Sequence, residues 1–98
     1  MATLYVAEFP ASSLLHGPVP IVQGTPIAEQ TVSIGGSSTS SSAFAANTKI
    51  IRVHTDAICS IAIGASPTAT AAKMRMAAGT TEYFEVAPTH KIAVITNT

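Results

Sequence analysis

Charge is sparse in this chain. Only 10% of its 98 residues are Asp, Glu, Lys or Arg, five acidic against five basic, for a formal net charge of zero. An average soluble domain carries roughly 25%. The basic residues Lys49, Arg52, Lys73, Arg75 and Lys91 are scattered along the sequence. Without a cluster to displace phosphate counterions, nucleic acid is excluded as a partner. Long apolar runs are missing as well: Pro, Gly, Ser or a charge interrupts every hydrophobic stretch before the ~20 residues that a spanning helix needs. The mean hydropathy of +0.40 therefore does not make this a membrane protein. The opening Met1 to Glu8 has neither the basic start nor the apolar run of a secretory signal, so the chain is expected to stay in the cytoplasm where it is made. Cys59 is the single cysteine, which rules out an internal disulfide and fits a reducing compartment.

Large side chains are few. There is no Trp and only 5% aromatic residues, so the 47% hydrophobic content is mostly Ala, Val and Ile. A chain of this length builds one domain, and its core is thin. Near-zero net charge on a weakly charged surface favours association, so a free monomer is not the expected state.

Residues 1 to 29 hold four of the six prolines, Pro10, Pro18, Pro20 and Pro26. Each fixes its own φ and pushes the preceding residue toward extended geometry, which excludes helix. Apolar residues recur between them, so the segment is not a disordered tail by composition. It reads as an extended arm, 1–29, lying either on its own domain or on a neighbouring subunit, in front of a β domain over 30–98. Phe9, Leu14, Leu15, Val19, Ile21 and Val22 are its candidate partner-interface residues.

Beyond the arm, apolar and polar residues alternate in short runs bounded by turn residues. Gln30 to Ile34 is a strand closed by Gly35-Gly36. The Ser37 to Ser42 tract is a flexible loop, or else a strand with small side chains. Lys49 to Thr55, Ile58 to Ile63, Lys73 to Met76, Thr81 to Val86 and Lys91 to Thr96 follow as strands. Their connections are too short for crossover helices, so neighbours are antiparallel. The expected fold is all-β, an antiparallel β-sandwich of jelly-roll-like form with an extended Pro-rich N-terminal arm.

The chemical inventory is short. His16, His54 and His90, with Cys59 and the carboxylates, show no metal-ligand spacing such as paired CxxC or HExxH. His54 and Asp56 precede Cys59 across a turn, and a Cys–His nucleophilic pair is one reading. Cys59 is in phase with Ile61 and Ile63, which favours a buried small hydrophobe. Gly35-Gly36 lacks the Lys and the helix of a phosphate loop. Met74 and Met76 share a face that is either core or a partner patch. Tyr83, opposite Phe84, is a further interface candidate. No catalytic residue, metal site or cofactor is expected.

The run Ile51-Arg-Val-His-Thr-Asp-Ala-Ile-Cys-Ser-Ile-Ala-Ile-Gly-Ala-Ser-Pro-Thr-Ala-Thr70, with Ala78-Gly-Thr-Thr-Glu-Tyr-Phe-Glu-Val86 and Lys91-Ile-Ala-Val-Ile95, resembles small virion proteins of tailed bacteriophages, head decoration (cement) proteins in particular. The resemblance spans Lys49 to Thr96, about half of the chain. It implies a non-enzymatic structural protein on the capsid exterior, assembled in the host cytoplasm, that binds the phage major capsid protein and stabilises contacts between its subunits. It also implies self-association, as a homotrimer or a dimer. Docking through the arm would mean that deleting residues 1 to 27 leaves a folded domain unable to bind shells. The alternatives are a tail, fibre-base or head-tail connector subunit, and a small β-sandwich module that binds sugars or peptides through its Ser/Thr-rich loops.

Overall fold

The structure, a computed structural model, describes residues 2–10 and 26–98. Among the described residues there are eight strands and no helix: β1 (Ala2–Phe9), β2 (Ala28–Ile34), β3 (Thr39–Ser40), β4 (Ile50–Thr55), β5 (Cys59–Gly64), β6 (Met74–Met76), β7 (Thr81–Glu85) and β8 (Lys91–Thr96). They form two four-stranded sheets, ordered β2-β1-β4-β7 and β3-β8-β5-β6. Every pairing is antiparallel. The two sheets share one core. Leu4, Val6, Val32, Ile34, Ile51 and Val53 come from the first, Cys59, Ile61, Met76, Ile92 and Val94 from the second, and Phe44 and Val86 from connections. This all-β arrangement is compatible with the expected sandwich.

The N-terminal segment departs from the expected arm. Residues 2–9 are an interior strand, paired along its length with β2 on one side (Ala2↔Ile34 to Glu8↔Ala28) and with β4 on the other (Leu4↔Thr55 to Phe9↔Ile50). Ala28 and Glu29, placed in the same arm, open β2. The physical reason lies in where the prolines fall. None precedes Pro10, so residues 2–9 keep every backbone donor, and Leu4 and Val6 alternate inward as in any half-buried strand. Leu14, Leu15, Val19, Ile21 and Val22 lie outside the described residues.

Glu8 follows Leu4 and Val6 on the inward face and is 2% exposed. A buried carboxylate is costly unless hydrogen-bonded, and here its oxygens are occupied. Oε1 accepts from the Ala45 N–H (2.9 Å) and the Thr48 hydroxyl (2.8 Å), and Oε2 accepts from Gln30 Nε2 (3.3 Å). Gln30 Oε1 in turn accepts from the Ser42 N–H (2.9 Å). Segment 41–48, which leads from one sheet to the other, is thus tied to β1 and β2.

The two outer faces differ. On the second sheet, Ser60 and Ala93 point away from the core, yet both are fully buried. The connection 65–73 lies across them. The Ala69 N–H donates to Ser38 Oγ beyond β3 (2.9 Å), and Asn97 Nδ2 donates to both Ser60 Oγ (2.7 Å) and the Ala71 carbonyl (3.3 Å). Small side chains at 60, 62 and 93 let this strap, uncharged up to Lys73, approach the sheet. The Ser-rich tract anchors it rather than forming a free loop, and Thr39–Ser40 pair with β8, so the strand reading of that tract holds for two residues. The first sheet's outer face carries larger and more polar side chains.

Candidate functional site

Register places four strands' worth of outward side chains in rows across the first sheet. One row runs Thr31, Tyr5, His54, Thr81; the next runs Glu29, Ala7, Arg52, Tyr83. Tyr5 and Tyr83 are each 46% exposed. The Tyr5 and His54 rings lie 6.2 Å apart, tilted by 46°, and His54 Nδ1 is 2.9 Å from the Thr81 hydroxyl, which holds the imidazole in place. Arg52 sits beside Tyr83 on the adjacent strand. Ala7 presents only a methyl group between Glu29 and Arg52, two strands apart and hence about 10 Å across. The result is a depression of about 310 Å³ lined by Tyr5, Ala7, Glu29, Thr31 and Arg52.

Tyr and Arg are enriched among the side chains that anchor interfaces, where they offer large contact area and directional hydrogen bonds. Here they are spaced along one face by the ladder itself; the opposite sides of β1 and β4 are locked in the core, and β7 is the exposed edge. The face can present an apolar ring, a guanidinium fork and a carboxylate to one partner at once.

Of the interface residues expected from sequence, Tyr83 belongs to this face. Phe9 is 4% exposed and its carbonyl accepts from the Lys49 N–H (2.9 Å), so it is packed within the chain and presents nothing to a partner. Tyr5, Arg52 and His54 were not singled out as a group by sequence. The alternation Thr3-Leu4-Tyr5-Val6 was the available signal, and the pairing of β1 with β4 is what brings Tyr5 to His54. The imagined Cys–His pair is not formed. His54 is on the outer face, while Cys59 is fully buried in the core beside Thr55 Oγ1 (3.5 Å). Burial pushes the Cys59 thiol above its ordinary value of 9.0, with the Thr55 hydrogen bond pulling the other way. Met74 and Met76 also separate: Met76 is core, whereas Met74 at the sheet edge is 53% exposed. Among the described residues no group of three His, Cys, Asp or Glu side chains is placed to hold a metal ion, and no helix is long and apolar enough to cross a membrane.

No family model, no curated protein and no solved structure matches this chain.

Proposed function

We propose that this chain is a structural virion protein that binds the outside of a phage capsid and stabilises contacts between major capsid subunits. The observation that carries the reading is the asymmetry of the two outer faces. One is closed by the chain's own strap, and the other displays Tyr5, Arg52, His54 and Tyr83 on rigid strands. Such a face suits docking on a preformed protein surface, where little ordering cost remains to be met. The order of the strands favours the jelly-roll form of the sandwich. Read from β2, the chain winds through two Greek keys, and β1 occupies the place between β2 and β4 that the last of eight strands takes in a jelly roll. In this reading the docking residues are on the first sheet rather than only on an N-terminal arm. A tail, fibre-base or connector subunit would use the same face at another place in the particle.

The test is a cosedimentation assay with purified phage shells, paired with a mass-spectrometric copy number in intact particles. The expected result is a simple ratio to the major capsid protein, and a loss of shell affinity of at least about tenfold in Arg52→Ala or Tyr83→Ala, as hot-spot truncations of this type produce. Absence from particles, or unchanged affinity in both variants, would refute the proposal. The depression over Ala7 favours one second reading, a small ligand-binding module. Glycan or peptide binding that is lost in Tyr5→Ala, by a chain absent from particles, would install it instead.

A further inference from the structure

The two sheets end on one side of the molecule in edge strands of opposite charge. The first sheet ends in β7, with Glu82 and Glu85 exposed; the second ends in β6, where Arg75 and the adjoining Lys73 are exposed. Four residues, 77–80, connect the two strands, and β2 lies over β3 and β8 at the opposite side, so β6 and β7 are neighbours across the interior. Among the described residues neither edge has a further strand beside it, and each carries a half-exposed large side chain, Met74 and Tyr83. An edge strand is a template for another chain, and charges on it act as guards against its own copy. Here the guards on each edge have a single sign. They repel β7 from a second β7 and β6 from a second β6, and they attract β6 to a second copy's β7.

We infer that this side is a self-association surface, in which β6 of each copy pairs with β7 of the other around a two-fold axis parallel to the strands. The directions agree. β6 and β7 of one chain run opposite ways, because β6 is antiparallel to β5, β4 turns tightly into β5, and β7 is antiparallel to β4. Rotation by half a turn about the strand direction brings the second β7 into line with β6 while preserving its sense, which makes the new ladder antiparallel. The contact is isologous, so the complementary charges meet twice. Glu82 shares the inward phase of Phe84 but is exposed, and Met74 opposite it is exposed in the same way, so both lie at the mouth between the sheets where the second copy arrives. Arg75 Nε also donates to the Thr98 carbonyl (3.4 Å), which holds the guanidinium at the edge. The axis places the two Tyr5–Arg52–Tyr83 faces on opposite sides of the dimer. Edge pairing therefore leaves Tyr5, Arg52 and His54 uncovered; Tyr83, on β7 itself, borders both surfaces, and the charge reversals below test pairing without altering it.

Sedimentation equilibrium on the full chain tests this, with far-UV circular dichroism as the check on folding. The wild type is expected at about twice the 10.0 kDa chain mass at low ionic strength, and at the chain mass in about 1 M salt, where the screening length is ~3 Å. Lys73→Glu with Arg75→Glu, and separately Glu82→Lys with Glu85→Lys, should each give monomer. An equimolar mixture of the two variants should return to dimer, because their edges are again complementary. If Arg75→Glu loosens the C-terminus, Lys73→Glu mixed with Glu82→Lys makes the same comparison. A monomeric wild type, a dimer that survives either reversal, or a mixture that stays monomeric would overturn the inference.

Discussion

At the residue scale, Glu8 and Cys59 show how burial sets chemistry in a core with few large side chains. The Glu8 carboxylate satisfies two donors, the buried Thr48 hydroxyl and the partly buried Ala45 N–H. Glu8→Ala strands both and opens a cavity. At about 1–3 kcal/mol for each unsatisfied buried donor, the loss is expected to be about 3 kcal/mol or more, read as a lower urea midpoint. An unchanged midpoint would mean that segment 41–48 is held by other contacts. Cys59 makes the opposite case. Its thiol is raised by burial, so the folded chain holds that proton more tightly than the unfolded chain does. Stability contributed by the neutral thiol is full below the unfolded value near 9.0 and declines as pH rises beyond it. Thiol-specific reagents should accordingly label Cys59 only as fast as the chain unfolds. Rapid labelling under native conditions would contradict its place in the core.

Among the elements, β1 and the strap decide the most. β1 is central to its sheet, and Leu4, Val6 and Phe9 are buried on it. At roughly 1.5–3 kcal/mol each, these three side chains alone contribute an amount comparable to the roughly 5–15 kcal/mol stability of a whole domain. Deleting residues 1 to 9 is therefore expected to abolish folding, seen as loss of the cooperative thermal transition, rather than to leave a β domain that merely fails to dock. A cooperative transition in the truncated chain would show β1 to be dispensable. The strap explains composition that looked featureless in the sequence. A connection that crosses a sheet at close range needs small, uncharged residues above and below it, and 65–73 has no charge before Lys73 while Ala62 and Ala93 lie beneath.

For the molecule as a whole, local signals carried the strands and distant ones carried the surface. Six of the eight strands, β2 and β4 to β8, stand in the sequence as alternating runs between turn residues, and the inward positions of Ile51, Val53, Cys59 and Ile61 follow from that alternation alone. β1 was hidden because a Pro-rich window absorbed a proline-free strand, and β3 because Thr39–Ser40 has no apolar alternation to mark it. The candidate site was less legible still: Tyr5, Ala7, Arg52 and Tyr83 are separated by up to 78 positions (83 − 5) and meet only through the β1–β4 and β4–β7 registers. Likewise, Lys73, Arg75, Glu82 and Glu85 are scattered charges in the sequence and become two opposed edges only when the order of strands in each sheet is known. The sequence by itself determined the all-β class and which side of most strands faces inward, since both depend on neighbours one or two residues away. Which strands are interior, which outer face is covered and which residues share the other were decided by the tertiary structure, because pairing between remote segments depends on their mutual fit and leaves no local periodicity to read.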